Sequence, residues 1–114
     1  MPHLILEHSA ELESSHNLPA LADALFQAAL DSDLVPNKQS IKLRFVPCSH
    51  VRLGGGGAGF AHLDLYLLPG RDTATKTALS QTFFDVLSAH LPDVSSLSVL
   101  PWDMDEKPYL RRVL

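Results

Sequence analysis

Twice within 114 residues the chain runs through the same succession: an alternating apolar stretch, a stretch with apolar residues at helical spacing, and a second short apolar stretch. This order constrains the fold more than any other feature. A strand, a helix and a returning strand close as a crossover, with the two strands parallel and the helix on one face of the sheet. In the first half, His3, Ile5 and Glu7 alternate with Leu4, Leu6 and His8, which predicts a strand. Residues 11–17 are polar and turn-like. A helix is predicted from about Leu18 to Asp31, with Asn17 as its cap, Pro19 in its first turn, and a stripe of Leu18, Leu21, Ala22, Leu25, Ala28 and Ala29. Residues 33–37 end it. In the run from Ile41 to Ser49, Ile41, Leu43 and Phe45 share one face and Lys42, Arg44 and Val46 the other, and Pro47 marks an edge position or a strand end.

The second half repeats the plan. A strand is predicted from Phe60 to Leu68, a turn at Pro69–Asp72, and a helix from Thr73 to His90 whose stripe includes Leu79, Phe83, Val86 and Leu87. A short strand from Leu97 to Trp102 follows. His3-Leu4-Ile5-Leu6 and His62-Leu63-Asp64-Leu65 each lie near the start of a half, so a pseudo-repeat is visible in the residues as well as in the element order. The expectation is one α+β domain over residues 1–114: two βαβ halves at about 1–53 and 60–102, forming a four-stranded sheet with two helices on one face, and an irregular tail at 103–114. Such a sheet keeps an exposed face and exposed edges, which oligomerisation would cover.

Charge and composition narrow the functions. A net charge of −4 speaks against a broad nucleic-acid footprint, although five arginines leave room for local basic pockets. One cysteine, Cys48, allows neither an internal disulfide nor a paired-cysteine metal knuckle. No run approaches the ~20 apolar residues of a membrane span. The opening residues lack the features of a signal peptide, so a cytoplasmic location is expected. The six histidines show no metal-ligand spacing, and no metal site is expected. The glycine-rich run Gly54 to Gly59 precedes a strand rather than a helix. It therefore reads as a loop between the halves and not as a phosphate cradle.

The chemistry starts at Pro2. Small second residues permit removal of Met1, which would leave a secondary amine. α-Amino groups titrate near 7.7–8.0 in model peptides. Burial and neighbouring cations both disfavour the charged form, which would move such an amine toward the range a general base needs. Met-Pro openings also occur by chance. Here, however, a strand starts immediately after Pro2 and would hold its nitrogen at a fixed place.

The opening Met1-Pro2-His3-Leu4-Ile5-Leu6-Glu7-His8-Ser9 resembles that of the 5-carboxymethyl-2-hydroxymuconate isomerases of the tautomerase superfamily. The likeness continues through Leu18-Pro19, Leu34-Val35-Pro36, Ile41-Lys42-Leu43-Arg44, Val51-Arg52, Phe60-Ala61-His62-Leu63 and Gly70-Arg71, and into the helix after Arg71. The resemblance implies a β-α-β repeat, a homotrimer, no cofactor, and Pro2 as the base that moves a proton within a carboxylated dienol or α-keto acid. It also implies cations that grip substrate carboxylates. Arg71 matches one of the family's arginines. The other falls on Lys42, with Arg44 two residues later on the same strand face. Lys keeps the charge without the planar fork. Lys42 and Arg44 read equally as substrate contacts or as a charged face meeting a neighbouring subunit's acids. Arg52 is a weaker candidate. His3 and His62 are expected to support the pocket by hydrogen bonding at most. The tail from Tyr109 to Leu114 is a candidate for packing on a neighbouring subunit. The competing expectation is a non-catalytic oligomeric binding or scaffold protein that keeps the fold.

Overall fold

The computed structural model describes residues 2–32 and 37–114; Met1 and, of the stretch 33–37 read as ending the first long helix, residues 33–36 lie outside the described residues. The elements are β1 (His3–Ser9), α1 (Leu12–Ser15), α2 (Leu18–Asp31), a 3₁₀ turn (Lys38–Ser40), β2 (Lys42–Cys48), β3 (Phe60–Leu67), α3 (Thr73–His90) and β4 (Ser96–Asp103). Both long helices have the limits predicted from the sequence, because both carry side-chain caps. The Asn17 side chain accepts from Ala20 N and that of Asp72 from Thr75 N. The polar stretch read as a turn at 11–17 contains the single helical turn α1. No helix among the described residues is long and apolar enough to cross a membrane.

The sheet order is β2-β1-β3-β4. β1 runs parallel to β2, β3 parallel to β4, and β1 antiparallel to β3. Each half is thus a βαβ unit, and the first strands of the two halves form the centre of the sheet. Pro47 and Pro101 sit on the edge strands β2 and β4, where a missing N–H costs least. Side chains alternate between the faces. Leu4, Leu6, Ala61, Leu63, Leu65 and Leu67 pack under Leu21, Leu25, Leu79, Phe83 and Leu87 of α2 and α3, forming one buried core. The opposite face carries no helix. Val46, Leu100 and Trp102 there are 41%, 43% and 45% exposed.

The halves join through the glycine-rich loop at the end of the sheet where β1 finishes. Gly57 has φ +95°, and a Cβ on it would lie 2.5 Å from Ser95 Oγ, which accepts from Ala58 N. The loop is tied to the segment before β4 by this bond and by those from Ser95 N to the Ala58 carbonyl and from Ser96 N to the Gly59 carbonyl, and Gly57 permits the close approach.

Candidate active site

At the other end of the sheet, β1 is paired on both sides from its first residue. His3 pairs with Lys42 and with Tyr66, and Lys42 N donates to the Pro2 carbonyl at 3.1 Å. Pro2 is buried. It contributes to a small apolar recess with Leu4, Leu65, Leu79 and Phe83, so the residue is seated on the core. It also lines an open cavity of ≈ 420 Å³.

Three parts of the chain form the rest of that cavity. The 3₁₀ turn region supplies Asn37 and Ser40, and the β3–α3 connection supplies Leu67, Leu68, Pro69 and Arg71. Gly70, at φ +119°, turns the chain between them, and Arg71 Nη1 donates to the Leu68 carbonyl at 3.0 Å. The tail supplies Glu106, Tyr109 and Arg111. Two guanidiniums and one carboxylate therefore share the cavity with Pro2, an excess of positive charge suited to an anionic ligand.

The structure brings Pro2 and Arg71 together at this cavity. Lys42 and Arg44 are not among the residues that line it. Lys42 Nζ donates to the Ser40 carbonyl at 2.8 Å. Arg44 Nη1 reaches His3 Nδ1 at 3.2 Å, and His3 Nε2 meets the Tyr109 hydroxyl at 3.1 Å. Arg44 is thus joined to the cavity-lining Tyr109 through His3. Arg52 is exposed at the opposite end of the sheet, where its Nη1 donates to the Val51 carbonyl. His62 lies on the helix-free sheet face, 2.6 Å from Ser98 Oγ and 2.8 Å from Asp64 Oδ1, which also accepts from Trp102 Nε1 at 2.7 Å. This network stiffens the uncovered face rather than the cavity. Among the described residues no three His, Cys, Asp or Glu side chains form a metal-holding group.

Sequence reasoning missed Tyr109, Arg111 and Glu106. The tail folds back on its own chain, and Met104 N continues the pairing of β4 by donating to the Leu67 carbonyl at 2.8 Å. Nothing periodic in residues 104–114 announces this. The available signal was an aromatic followed by two arginines, in a chain whose resemblance already called for cations.

Burial is the first cause holding the His3 pKa below its ordinary 6.5, and the charges of Arg44 and Lys42 add to it. The unfolded chain therefore takes up this proton before the folded one does. Stability that is full above about pH 6.5 falls as the pH drops through the interval below it. Urea midpoints measured at pH 7.5 and 5.5 should differ less in His3→Gln than in the native protein; an equal difference would show that His3 contributes nothing.

The family model for 5-carboxymethyl-2-hydroxymuconate isomerase matches residues 2–105. No curated protein matches the sequence. Among solved structures, a 5-carboxymethyl-2-hydroxymuconate isomerase from Deinococcus radiodurans R1 is 24% identical. Its TM-score is 0.83, over 97% of this chain and 88% of that one. A 5-carboxymethyl-2-hydroxymuconate delta-isomerase is 22% identical with a TM-score of 0.81, over 99% and 88%. A fused 4-OT described as a symmetric trimer is 23% identical with a TM-score of 0.62, over 90% and 85%. These similarities establish a shared fold.

Proposed function

The chain belongs to the 5-carboxymethyl-2-hydroxymuconate isomerase family, and from that premise we propose that it moves a proton within a carboxylated dienol or α-keto acid, with the Pro2 amine as the acid–base group. The observation that carries this reading is that Pro2, buried and fixed at the head of a central strand, shares one cavity with Arg71. With Met1 removed, the Pro2 nitrogen is a secondary amine. Its burial and the guanidiniums of Arg71 and Arg111 favour the neutral form, which can accept a proton. The amine takes the proton from the enol hydroxyl or α-carbon and returns it to another carbon of the conjugated system. The enzyme is unchanged after each turnover, and no cofactor enters the step.

Arg71 is the principal grip for a substrate carboxylate, since a guanidinium can hold a carboxylate in a bidentate fork. Arg111, at the exposed rim, is the second cation of the cavity. Lys42 and Arg44, candidates from the sequence, act from the flank. The size and charge of the cavity suit a substrate of the class that includes 5-carboxymethyl-2-hydroxymuconate. Ketonisation of 2-hydroxymuconate, followed by ultraviolet absorbance, tests the reading. Phenylenolpyruvate serves as a comparison that carries one carboxylate fewer. Turnover requiring a free Pro2 nitrogen supports the reading, and turnover indifferent to it rejects the reading.

We also propose that the working form is a homotrimer in which the helix-free sheet faces turn toward one another. The exposed Val46, Leu100 and Trp102 on that face and on its edge strands favour association. Sedimentation equilibrium should give three times the 12.5 kDa chain mass. A monomer mass at micromolar concentration would rule the assembly out.

A further inference from the structure

The geometry points to Tyr109 as a catalytic hydrogen-bond donor of the Pro2 cavity, its hydroxyl proton directed to the substrate by a relay that runs from Arg44 through His3. This inference rests on the proton transfer proposed for Pro2. The chemistry of the partners fixes the direction of each bond. A guanidinium only donates, so in the 3.2 Å contact between Arg44 Nη1 and His3 Nδ1 the ring nitrogen is the acceptor. A neutral imidazole whose Nδ1 accepts carries its proton on Nε2. The lowered pKa of His3 keeps this neutral form dominant near pH 7.

The Nε2–H therefore donates to the Tyr109 hydroxyl oxygen, 3.1 Å away. Among the described residues His3 is the hydroxyl's one hydrogen-bond partner. A phenol oxygen that accepts from a ring N–H keeps its own O–H to give elsewhere. Tyr109 is half-buried and lines the cavity with Pro2 and Arg71, so the substrate is the acceptor within reach. As Pro2 removes the proton, negative charge builds on the substrate's enol or carbonyl oxygen. A donor already oriented toward that oxygen stabilises the charge without reorganising. Tyr109 retains its proton throughout, so the balance of the Pro2 step is unaltered.

Arg44 is a positioning residue in this scheme. Without it, Nδ1 is free to carry the proton and Nε2 can accept from the Tyr109 hydroxyl, drawing that proton away from the cavity. Three measurements test the scheme. Tyr109→Phe should lower kcat about a hundredfold with KM changed by less than about twofold. Arg44→Met should lower kcat in the same sense, and the double variant should fall no further than Tyr109→Phe alone. Nitrogen chemical shifts of labelled imidazole should show His3 protonated at Nε2 in the native protein and shifted toward Nδ1 protonation in Arg44→Met.

Additive losses, or an Arg44→Met variant with raised KM and normal kcat, would place Arg44 on a carboxylate directly and overturn the relay. A native His3 protonated at Nδ1 would do the same without any assay of turnover. Normal kcat in Tyr109→Phe, with the amine-blocked enzyme inactive, would overturn the donor role alone. Full activity in the amine-blocked enzyme would remove the Pro2 chemistry and this inference with it.

Discussion

Enzyme carrying one extra residue ahead of Pro2 should ketonise 2-hydroxymuconate about a thousandfold more slowly than enzyme with the free imino terminus. An added residue turns the Pro2 nitrogen into an amide, which has no basic lone pair at neutral pH. Little else is disturbed. The Pro2 carbonyl still accepts from Lys42 N, and the β1 register is set by pairing on both flanks. The loss would therefore report chemistry rather than folding, and an unchanged thermal midpoint would confirm that. Retained Met1 has the same chemical effect. Across preparations, specific activity should rise in proportion to the Met1-free fraction seen by intact mass. Pro2→Ala is a milder test, because after loss of Met1 it leaves a primary amine of similar basicity. A blocked enzyme with full turnover would end the proposal.

Arg71→Ala should reduce turnover about a hundredfold. Cationic stabilisation at a key position contributes on the order of 3 kcal/mol, which is about two powers of ten in rate. The substitution also removes the Nη1 bond to the Leu68 carbonyl, so some disorder of the β3–α3 connection is expected. The α3 cap, Asp72 to Thr75 N at 2.8 Å, does not involve Arg71 and keeps the helix start in place. Arg71→Lys separates charge from geometry. It should recover part of kcat if charge alone matters, and little if the fork is needed. Near-normal turnover in Arg71→Ala would show that the carboxylate grip lies elsewhere, with Arg111 the next candidate at the cavity.

Much of the fold is written in local pattern. Leu18 to Asp31 and Thr73 to His90 carry their caps and stripes within the segment, so both helices were legible to the residue. Strand alternation separated Leu4 and Leu6 from His3, Ile5 and Glu7, and Lys42 and Arg44 from Leu43 and Phe45. Packing under the helices then decides that Leu4, Leu6, Leu63 and Leu65 form the core and that Lys42 and Arg44 lie on the other face. Alternation gives the face of a strand but not its distance from a cavity. The cavity lies at the end of β1 and not on the sheet face, which is why face-sharing alone did not bring Lys42 and Arg44 to its wall. Tyr109 was illegible for a related reason. Its partner His3 is 106 positions away, and no periodic pattern in one segment encodes a bond across that separation. The tail is held by such bonds, not by propensity.

Because Pro2, Glu106, Tyr109 and Arg111 border the same cavity, a purification handle or fluorescent reporter joined ahead of Pro2 or after Leu114 would crowd the nitrogen proposed as the base or the Tyr109 hydroxyl. The connection at the far end of the sheet offers an alternative. A Cβ at Gly54 or Gly55 would meet nothing within 4 Å, unlike Gly57 against Ser95. A label spliced between Gly54 and Gly55 should leave the molecule's chemistry as it was, whereas a permuted chain opened there would join the old ends and turn the Pro2 nitrogen into an amide.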